Sequence, residues 1–270
     1  MKYTFSELDY QAVQYGVLGK FLKTFTKKSK VLQTHDYLII EDKDFKGKIL
    51  DVGCGPGKLG IMAKLLDPKT DITLMDGSII NIEISLTLIQ NAKLDKYLGD
   101  TLKLRLGMLG DEIKEKYDTV VLNHIVEHLD DLDEAFDWII NITKPGGTIF
   151  IAVPYKDCHF SPNHTRFFKV SADPNEGGMI NKDVKCFNID KYLEKRGYRA
   201  DIAIYDESKA DPRQPYDSRG QLDMSIKIKV PDNSGVVASD TVITNGKIDK
   251  EDWYKKPLPT DSIIKDIPLK

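Results

Sequence analysis

The sequence predicts a doubly wound α/β protein, a seven-stranded and mostly parallel sheet that ends in a C-terminal antiparallel hairpin. Three observations predict it. From Lys48 onward, short apolar runs alternate with longer stretches of helical periodicity, the pattern of parallel strands joined by crossover helices. The first apolar run passes directly into a glycine-rich turn, Gly53-Cys54-Gly55-Pro56-Gly57, and then into a helical stretch. Two further strand-like runs, residues 198–205 and 222–230, are joined by a polar, Pro-containing turn that suits a hairpin closing the sheet.

The elements follow in chain order. Between residues 5 and 40, apolar positions such as Phe5, Leu8, Val13, Leu18, Phe21, Leu22 and Phe25 recur at helical spacing, with lysines at 20, 23, 27, 28 and 30 between them. These predict one or two amphipathic helices, an N-terminal helical cap over residues 1–45 whose lysines form a solvated face. Strands are predicted at residues 48–52, 72–76, 103–106, 119–123 and 147–153, with helices at 58–66, 79–92 and 131–142 between them. The third of these helices opens on Asp130, Asp131, Asp133 and Glu134, favourable at a helix N-terminus, and stops at Thr143-Lys144-Pro145-Gly146-Gly147, which cannot continue one.

After the fifth strand comes a loop-rich stretch of about 30 residues, a length that often marks a lid or binding loop. It holds Cys158, His159, His164 and three prolines. A helix over 189–196 ends at Gly197 and leads into the hairpin. The chain thus divides into the cap, a ligand-binding domain over 46–231, and an extension over 232–270 in which Asn245-Gly246 signals a second tight hairpin.

Composition narrows the function classes. Apolar residues are 41% of 270 and charged residues 30%, the balance of a globular protein with a core of its own. No apolar run approaches the roughly 20 residues that span a bilayer. Acids and aromatics in the first 16 residues stand where a secretory signal needs apolar ones, so a cytoplasmic protein is expected. A net charge of −3 offers no general attraction for nucleic acid. Cys54, Cys158 and Cys186 have neither disulfide-framework nor zinc spacing, and no metal is expected.

The glycine turn lets a ligand approach backbone with no side chain between them. Its residues fit two kinds of ligand. Gly55-Pro56-Gly57-Lys58-Leu59-Gly60 satisfies the GxGxxG spacing of dinucleotide binders, and Asp76 lies about 20 residues onward at a strand end, as an NAD-dependent oxidoreductase requires. The strand before it, however, carries an acid: Asp51-Val52-Gly53-Cys54-Gly55-Pro56-Gly57 reads D-x-G-x-G-x-G.

That motif resembles the first motif of class I S-adenosylmethionine-dependent methyltransferases. The segment Tyr117 to Asp131, with Glu127-His128-Leu129 ahead of an acidic helix start, is similar to the fourth-strand motif of that family's small-molecule branch. Lys144-Pro145-Gly146-Gly147 is similar to the turn before its fifth strand. The three blocks agree in order and spacing from about residue 47 to 230 and imply the Rossmann-like methyltransferase fold, with S-adenosyl-L-methionine as cofactor.

The resemblance implies a role for each matching position. Gly53, Cys54, Gly55 and Gly57 would lie under the methionyl and ribose portion, with Asp51 near the cationic amine. Asp76 would accept hydrogen bonds from both ribose hydroxyls, the alternative being an acid that serves the following helix N-terminus. The family usually has an apolar residue next, to pack on adenine; here Gly77 and Ser78 follow, and Ile79 or Met108 is the substitute. The amino group of adenine would be met by backbone of Met108 and Leu109, or by Asp111. The Asn123 carbonyl would contact the methionyl amine, and His124 would begin the pocket wall.

Methyl transfer is an in-line displacement that needs alignment and exclusion of water, and a hydroxyl acceptor gains from a base. His128, His159 and His164 are the candidate catalytic residues, His128 also suiting a structural role at the strand-helix junction. Tyr155, Lys156 and Arg166, in a loop that mixes aromatic and cationic groups, suit an anionic substrate. The expected reaction is O-methylation of a phosphorylated or nucleotide-linked sugar in surface-glycan biosynthesis; the His-x-Arg-Phe-Phe run also resembles methyltransferases of quinone pathways. A non-catalytic binding subunit on the same fold is the alternative outside oxidoreductases. Trp253 and Tyr254 in the tail suit packing on the domain or on a second copy in a homodimer.

Overall fold

The computed structural model describes residues 39–126, 129, 131–154, 172–173, 178–179, 192–193, 195–206 and 222–232. The predicted helical cap, apart from helical residues 39–41, lies outside the described residues, as do most of the loop after the fifth strand and the extension from 233. The elements are β1 (Lys48–Val52), α1 (Lys58–Leu66), β2 (Asp71–Asp76), α2 (Ile79–Asn91), β3 (Leu102–Leu106), β4 (Tyr117–Asn123), α3 (Leu132–Ile142), β5 (Thr143–Pro154), a short ribbon of β6 (Ala172–Asp173) and β7 (Gly178–Met179), then β8 (Ala200–Asp206) and β9 (Leu222–Lys229). Helical backbone also occurs within the predicted helix over 189–196, at residues 192, 193 and 195.

Seven strands form one sheet in the order β3-β2-β1-β4-β5-β9-β8. The five from β3 to β5 are parallel, and β9 pairs antiparallel with both β5 and β8, so β9 alone runs against the rest. The predicted C-terminal hairpin is therefore present, with β9 inserted between β5 and β8. One boundary differs from expectation: β5 starts at Thr143, directly after α3, because Thr143 already pairs with Tyr117 ahead of a register shift.

The period of two along each strand separates two cores. Leu50, Val52, Val120, Leu122, Ile149 and Ile151 pack on one face with Phe136 and Ile139 of α3. Ile49, Ile72, Leu74, Val121 and Phe150 pack on the other with Ile61 of α1 and Leu88 of α2. The sheet is thus covered on both sides, which is why its strands are apolar on both faces. Each such residue, at most a few per cent exposed, contributes about 1.5–3 kcal/mol of transfer free energy. Among the described residues no helix is long and apolar enough to cross a membrane.

Polar fastenings hold the sheet at its margins. Asp42 and Asp44, ahead of β1, meet Lys227 of β9 at 3.0 and 2.9 Å, and Asp44 also meets Lys229 at 2.9 Å. Burial opposes the charge on Asp44, but hydrogen bonds from the two lysines and their charges overcome it and lower its carboxyl to about 2. Lys64 of α1 is fully buried, and its Nζ donates to the Thr70 carbonyl at 2.5 Å and to Thr101 Oγ1 at 2.6 Å. Desolvation pushes that ammonium below its ordinary range, against the pull of Asp71, Asp100 and Asp67.

Candidate functional site

The strand order reverses direction at β1, between β2 on one side and β4 on the other. Crossovers leave in opposite directions there, so the carboxyl ends of these strands open a crevice. Val52 is level with Met75 of β2 and Leu122 of β4. The next residue on each strand, Gly53, Asp76 and Asn123, therefore stands at one rim.

The turn after β1 is built from left-handed glycines, φ 63° at Gly53, 54° at Gly55 and 74° at Gly57. Cys54 N–H donates to the Met75 carbonyl at 3.0 Å and Gly57 N–H to the Cys54 carbonyl at 3.0 Å, folding the turn back over β2. The glycines serve different ends. A Cβ on Gly53 would collide with the Ile125 side chain, and one on Gly57 would come within 2.8 Å of Ser85 Oγ and 2.9 Å of Leu74 Cδ1. A Cβ on Gly55 would meet nothing within 4 Å. Gly53 and Gly57 are thus required by packing, whereas the space beside Gly55 is open to a ligand.

Asp76, 2% exposed, holds the turn to helix α2. Its Oδ2 accepts from Gly55 N–H at 2.8 Å, and its Oδ1 accepts from Ser78 N–H at 2.8 Å and Asn81 Nδ2 at 3.0 Å. Oδ1 thus takes two donors from the start of α2, the helix N-terminal role. Asp51 is equally buried at 2%, on the same face of the sheet as Ile49.

The Cys54 thiol is pushed well above its ordinary pKa by burial first, then by the charges of Asp76 and Asp51. It stays protonated, and its Sγ donates to the Gly55 carbonyl at 3.4 Å.

At the other end of the crevice, Asp111 Oδ2 accepts from Met108 N–H at 2.8 Å while Asp111 N–H donates to the Met108 carbonyl at 3.1 Å. Both polar backbone groups of Met108 are thus engaged in that turn. The Met108 side chain, 41% exposed, stands over Gly77, where a Cβ would lie 3.1 Å from Met108 Cγ. Ile79, 45% exposed, begins α2 two residues later. Two apolar side chains thus face solvent beside a carboxylate that does not.

Asn123 ends β4 as expected, and His124 turns the chain in the left-handed region, φ 55°, with its N–H on the Ala152 carbonyl at 2.9 Å. Histidine is one of the few residue types enriched there. That turn carries Ile125 onto Gly53. Glu127, His128, Tyr155, Lys156, His159, His164 and Arg166 lie outside the described residues. Among the described residues no group of three or more His, Cys, Asp or Glu could hold a metal ion.

Three contributors were not anticipated from sequence: Ile125 over the turn, Asn81 on Asp76, and Ser85, whose Oγ donates to the Gly55 carbonyl at 3.3 Å. Asn81 and Ser85 are fully buried on one face of α2, four residues apart. Two polar residues at that spacing within an apolar stripe are the signal that would have found them.

The comparisons with known proteins bear on the family and the fold. A family model described as a methyltransferase domain matches residues 22–201. A ubiquinone biosynthesis O-methyltransferase of Chelativorans sp. (strain BNC1) is 34% identical over 113 residues, 41% of this chain and 42% of that protein. Ribosomal RNA small subunit methyltransferase G of Mesoplasma florum is 34% identical over 113 residues, 40% of this chain and 46% of that protein. The chain therefore matches less than half the length of either relative. Among solved structures, a SAM-dependent methyltransferase from Methanosarcina mazei superposes with a TM-score of 0.53 at 15% identity, covering 74% of this chain and 99% of that one, a likeness of fold.

Proposed function

The chain belongs to the class I S-adenosylmethionine-dependent methyltransferase family, and from that premise we propose that it methylates a hydroxyl of a small, anionic metabolite. Family membership also decides against the NAD-dependent oxidoreductase that the GxGxxG spacing alone allowed. The observation that carries the cofactor half is the open space at Gly55, whose N–H is donated to a buried carboxylate while two apolar side chains stand exposed nearby.

These residues fit S-adenosyl-L-methionine. Asp51, Gly53, Cys54, Gly55 and Gly57 would hold the methionyl and ribose side. Asp76 Oδ2 with Gly77 and Ser78 would take the ribose, Met108, Leu109 and Asp111 the base, and Asn123 and His124 the amino end. When bound, the cofactor supplies a methyl group on a sulfonium, open to in-line displacement. The chain supplies position and dryness: Ile125 closes over the turn, and the paired glycines admit backbone where side chains would intrude. His128, His159 or His164 would take the acceptor's proton, and Tyr155, Lys156 and Arg166 would hold its anionic group.

The name of the Chelativorans relative supports oxygen as the acceptor atom. Two acceptor classes suit it, a quinone precursor, as in that name, and a phosphorylated or nucleotide-linked sugar. The Mesoplasma relative is named for ribosomal RNA, but a net charge of −3 favours a small acceptor here. The deciding experiment is calorimetric titration with S-adenosylmethionine, S-adenosylhomocysteine and NADH, followed by a methyl-transfer screen over both acceptor classes and ribosomal RNA. Binding of the first two with turnover of a small hydroxyl compound is expected. Binding without turnover of any acceptor would favour the non-catalytic reading, and no binding would overturn the proposal.

A further inference from the structure

The buried face of α2 carries Asn81 and Ser85 among Ile84, Leu88 and Ile89. An apolar side chain at either polar position would pack there with no hydrogen bond to satisfy, so what the two polar groups bind is informative. Both lead to one residue. Ser85 Oγ donates to the Gly55 carbonyl at 3.3 Å, and Asn81 Nδ2 donates at 3.0 Å to Asp76, whose other oxygen accepts from Gly55 N–H at 2.8 Å. We infer that Asn81 and Ser85 are positioning residues, which fix Gly55 from its two ends and so set the shape of the opening beside it for the cofactor. This rests on the cofactor reading above. The neighbouring glycines are confined by packing: a Cβ on Gly53 would strike Ile125, and one on Gly57 would crowd Ser85 and Leu74. Gly55 is not, since nothing lies within 4 Å of the place its Cβ would take, although its φ is held at 54°. A glycine with open space beside it has the backbone freedom to turn away, so hydrogen bonds decide its orientation. Its N–H is held by the acid of β2 and its carbonyl by α2, with Cys54 Sγ a weaker donor to the same oxygen at 3.4 Å. Ser78 Oγ caps α2 by accepting from Asn81 N–H at 3.4 Å, which fixes the helix start from which Asn81 reaches the acid. Four residues apart, Asn81 and Ser85 project from one side of the helix, the first to the acid and the second to the turn.

The test is calorimetry of the full chain with S-adenosylhomocysteine, at a temperature where circular dichroism shows each variant folded. Ser85→Thr and Ser85→Val share one shape and differ in the hydroxyl. Ser85→Val is expected to bind about three- to tenfold more weakly than Ser85→Thr. Asn81→Leu fills the same place without a donor to Asp76 and should weaken S-adenosylhomocysteine about tenfold. Competition by adenosine and by 2′,3′-dideoxyadenosine separates positioning from mere support of the fold. The loss in Asn81→Leu should be seen with adenosine and should shrink with the dideoxy compound, which lacks the hydroxyls that Asp76 would receive. A purely structural role would lower the melting temperature and leave the ratio between the two nucleosides as in wild type. Equal affinities of Ser85→Val and Ser85→Thr would overturn this inference alone, as would an Asn81→Leu loss of the same size for both nucleosides. Should Asn81→Leu not fold, the Ser85 pair decides. A wild-type protein that does not bind S-adenosylhomocysteine would overturn the cofactor reading itself, and this inference with it.

Discussion

Replacing Asp76 by alanine removes three hydrogen bonds at once and leaves their donors buried. Gly55 N–H and Ser78 N–H at 2.8 Å, and Asn81 Nδ2 at 3.0 Å, all end on this carboxylate. A hydrogen bond to a charged acceptor is worth about 1.5–3 kcal/mol, and an orphaned buried donor costs about 1–3 kcal/mol. The three share one acceptor and are not additive, so the expected loss is about 3–5 kcal/mol, a large part of a typical stability of about 5–15 kcal/mol. Asp76→Asn separates the two ends of the fastening. Its carbonyl oxygen can still serve Ser78 and Asn81, but its NH₂ then faces Gly55 N–H, donor against donor, for about 1–2 kcal/mol. Urea unfolding followed by circular dichroism measures both, with constant slope expected because the surface exposed on unfolding is the same. An alanine variant with the wild-type midpoint, or an asparagine variant that loses as much as alanine, would refute the reasoning.

The remaining predictions test other parts of the site and frame. Gly57→Ala should cost about 2 kcal/mol or more, since its Cβ meets Ser85 and Leu74 in a left-handed turn, whereas Gly55→Ala should cost only the conformational penalty of about 1–2 kcal/mol yet impair cofactor binding. Paired denaturation and calorimetry would distinguish them, and equal stability losses would contradict the packing argument. The carboxyl of Asp44 is held at about 2, below its ordinary 3.8, so its contribution is present above about pH 4 and is lost as pH falls toward 2. Asp44→Asn should therefore flatten the acid limb of the stability curve and also soften its alkaline limb, since Asp44 helps hold the Lys227 ammonium above its ordinary range, as pH-dependent melting would record. Arg166→Ala and Lys156→Ala should raise KM for the acceptor with little change in S-adenosylhomocysteine affinity. Unchanged KM in both would remove the anionic-acceptor reading.

Local pattern was enough for most of the architecture. The short apolar runs of β1, β2 and β4, the helical spacing after each, and the break at Lys144-Pro145-Gly146-Gly147 are properties of adjacent residues, and they placed seven strands and three crossover helices with small boundary differences. The start of β5 at Thr143 was not legible, because it depends on pairing with Tyr117, 26 residues away. The glycine turn and Asp76 could be read as parts of a ligand site because strand, turn and acid occupy characteristic spacings.

What the spacing could not state was how those parts are joined. That Asp76 clasps Gly55 across 21 residues, that Ile125 lies on Gly53, and that Met108 crosses Gly77 are decided only when β1, β2, β3 and β4 end side by side. The same holds for Asp42 and Asp44 against Lys227, in ion pairs that close 185 residues of chain between Asp42 and Lys227. Periodicity and turn chemistry act over a few residues, so the sequence by itself determined the elements and their class. Hydrogen bonds and close contacts act over a few ångströms, so only the tertiary structure decided which backbone must be glycine, which oxygen is already taken and which apolar side chain faces the crevice.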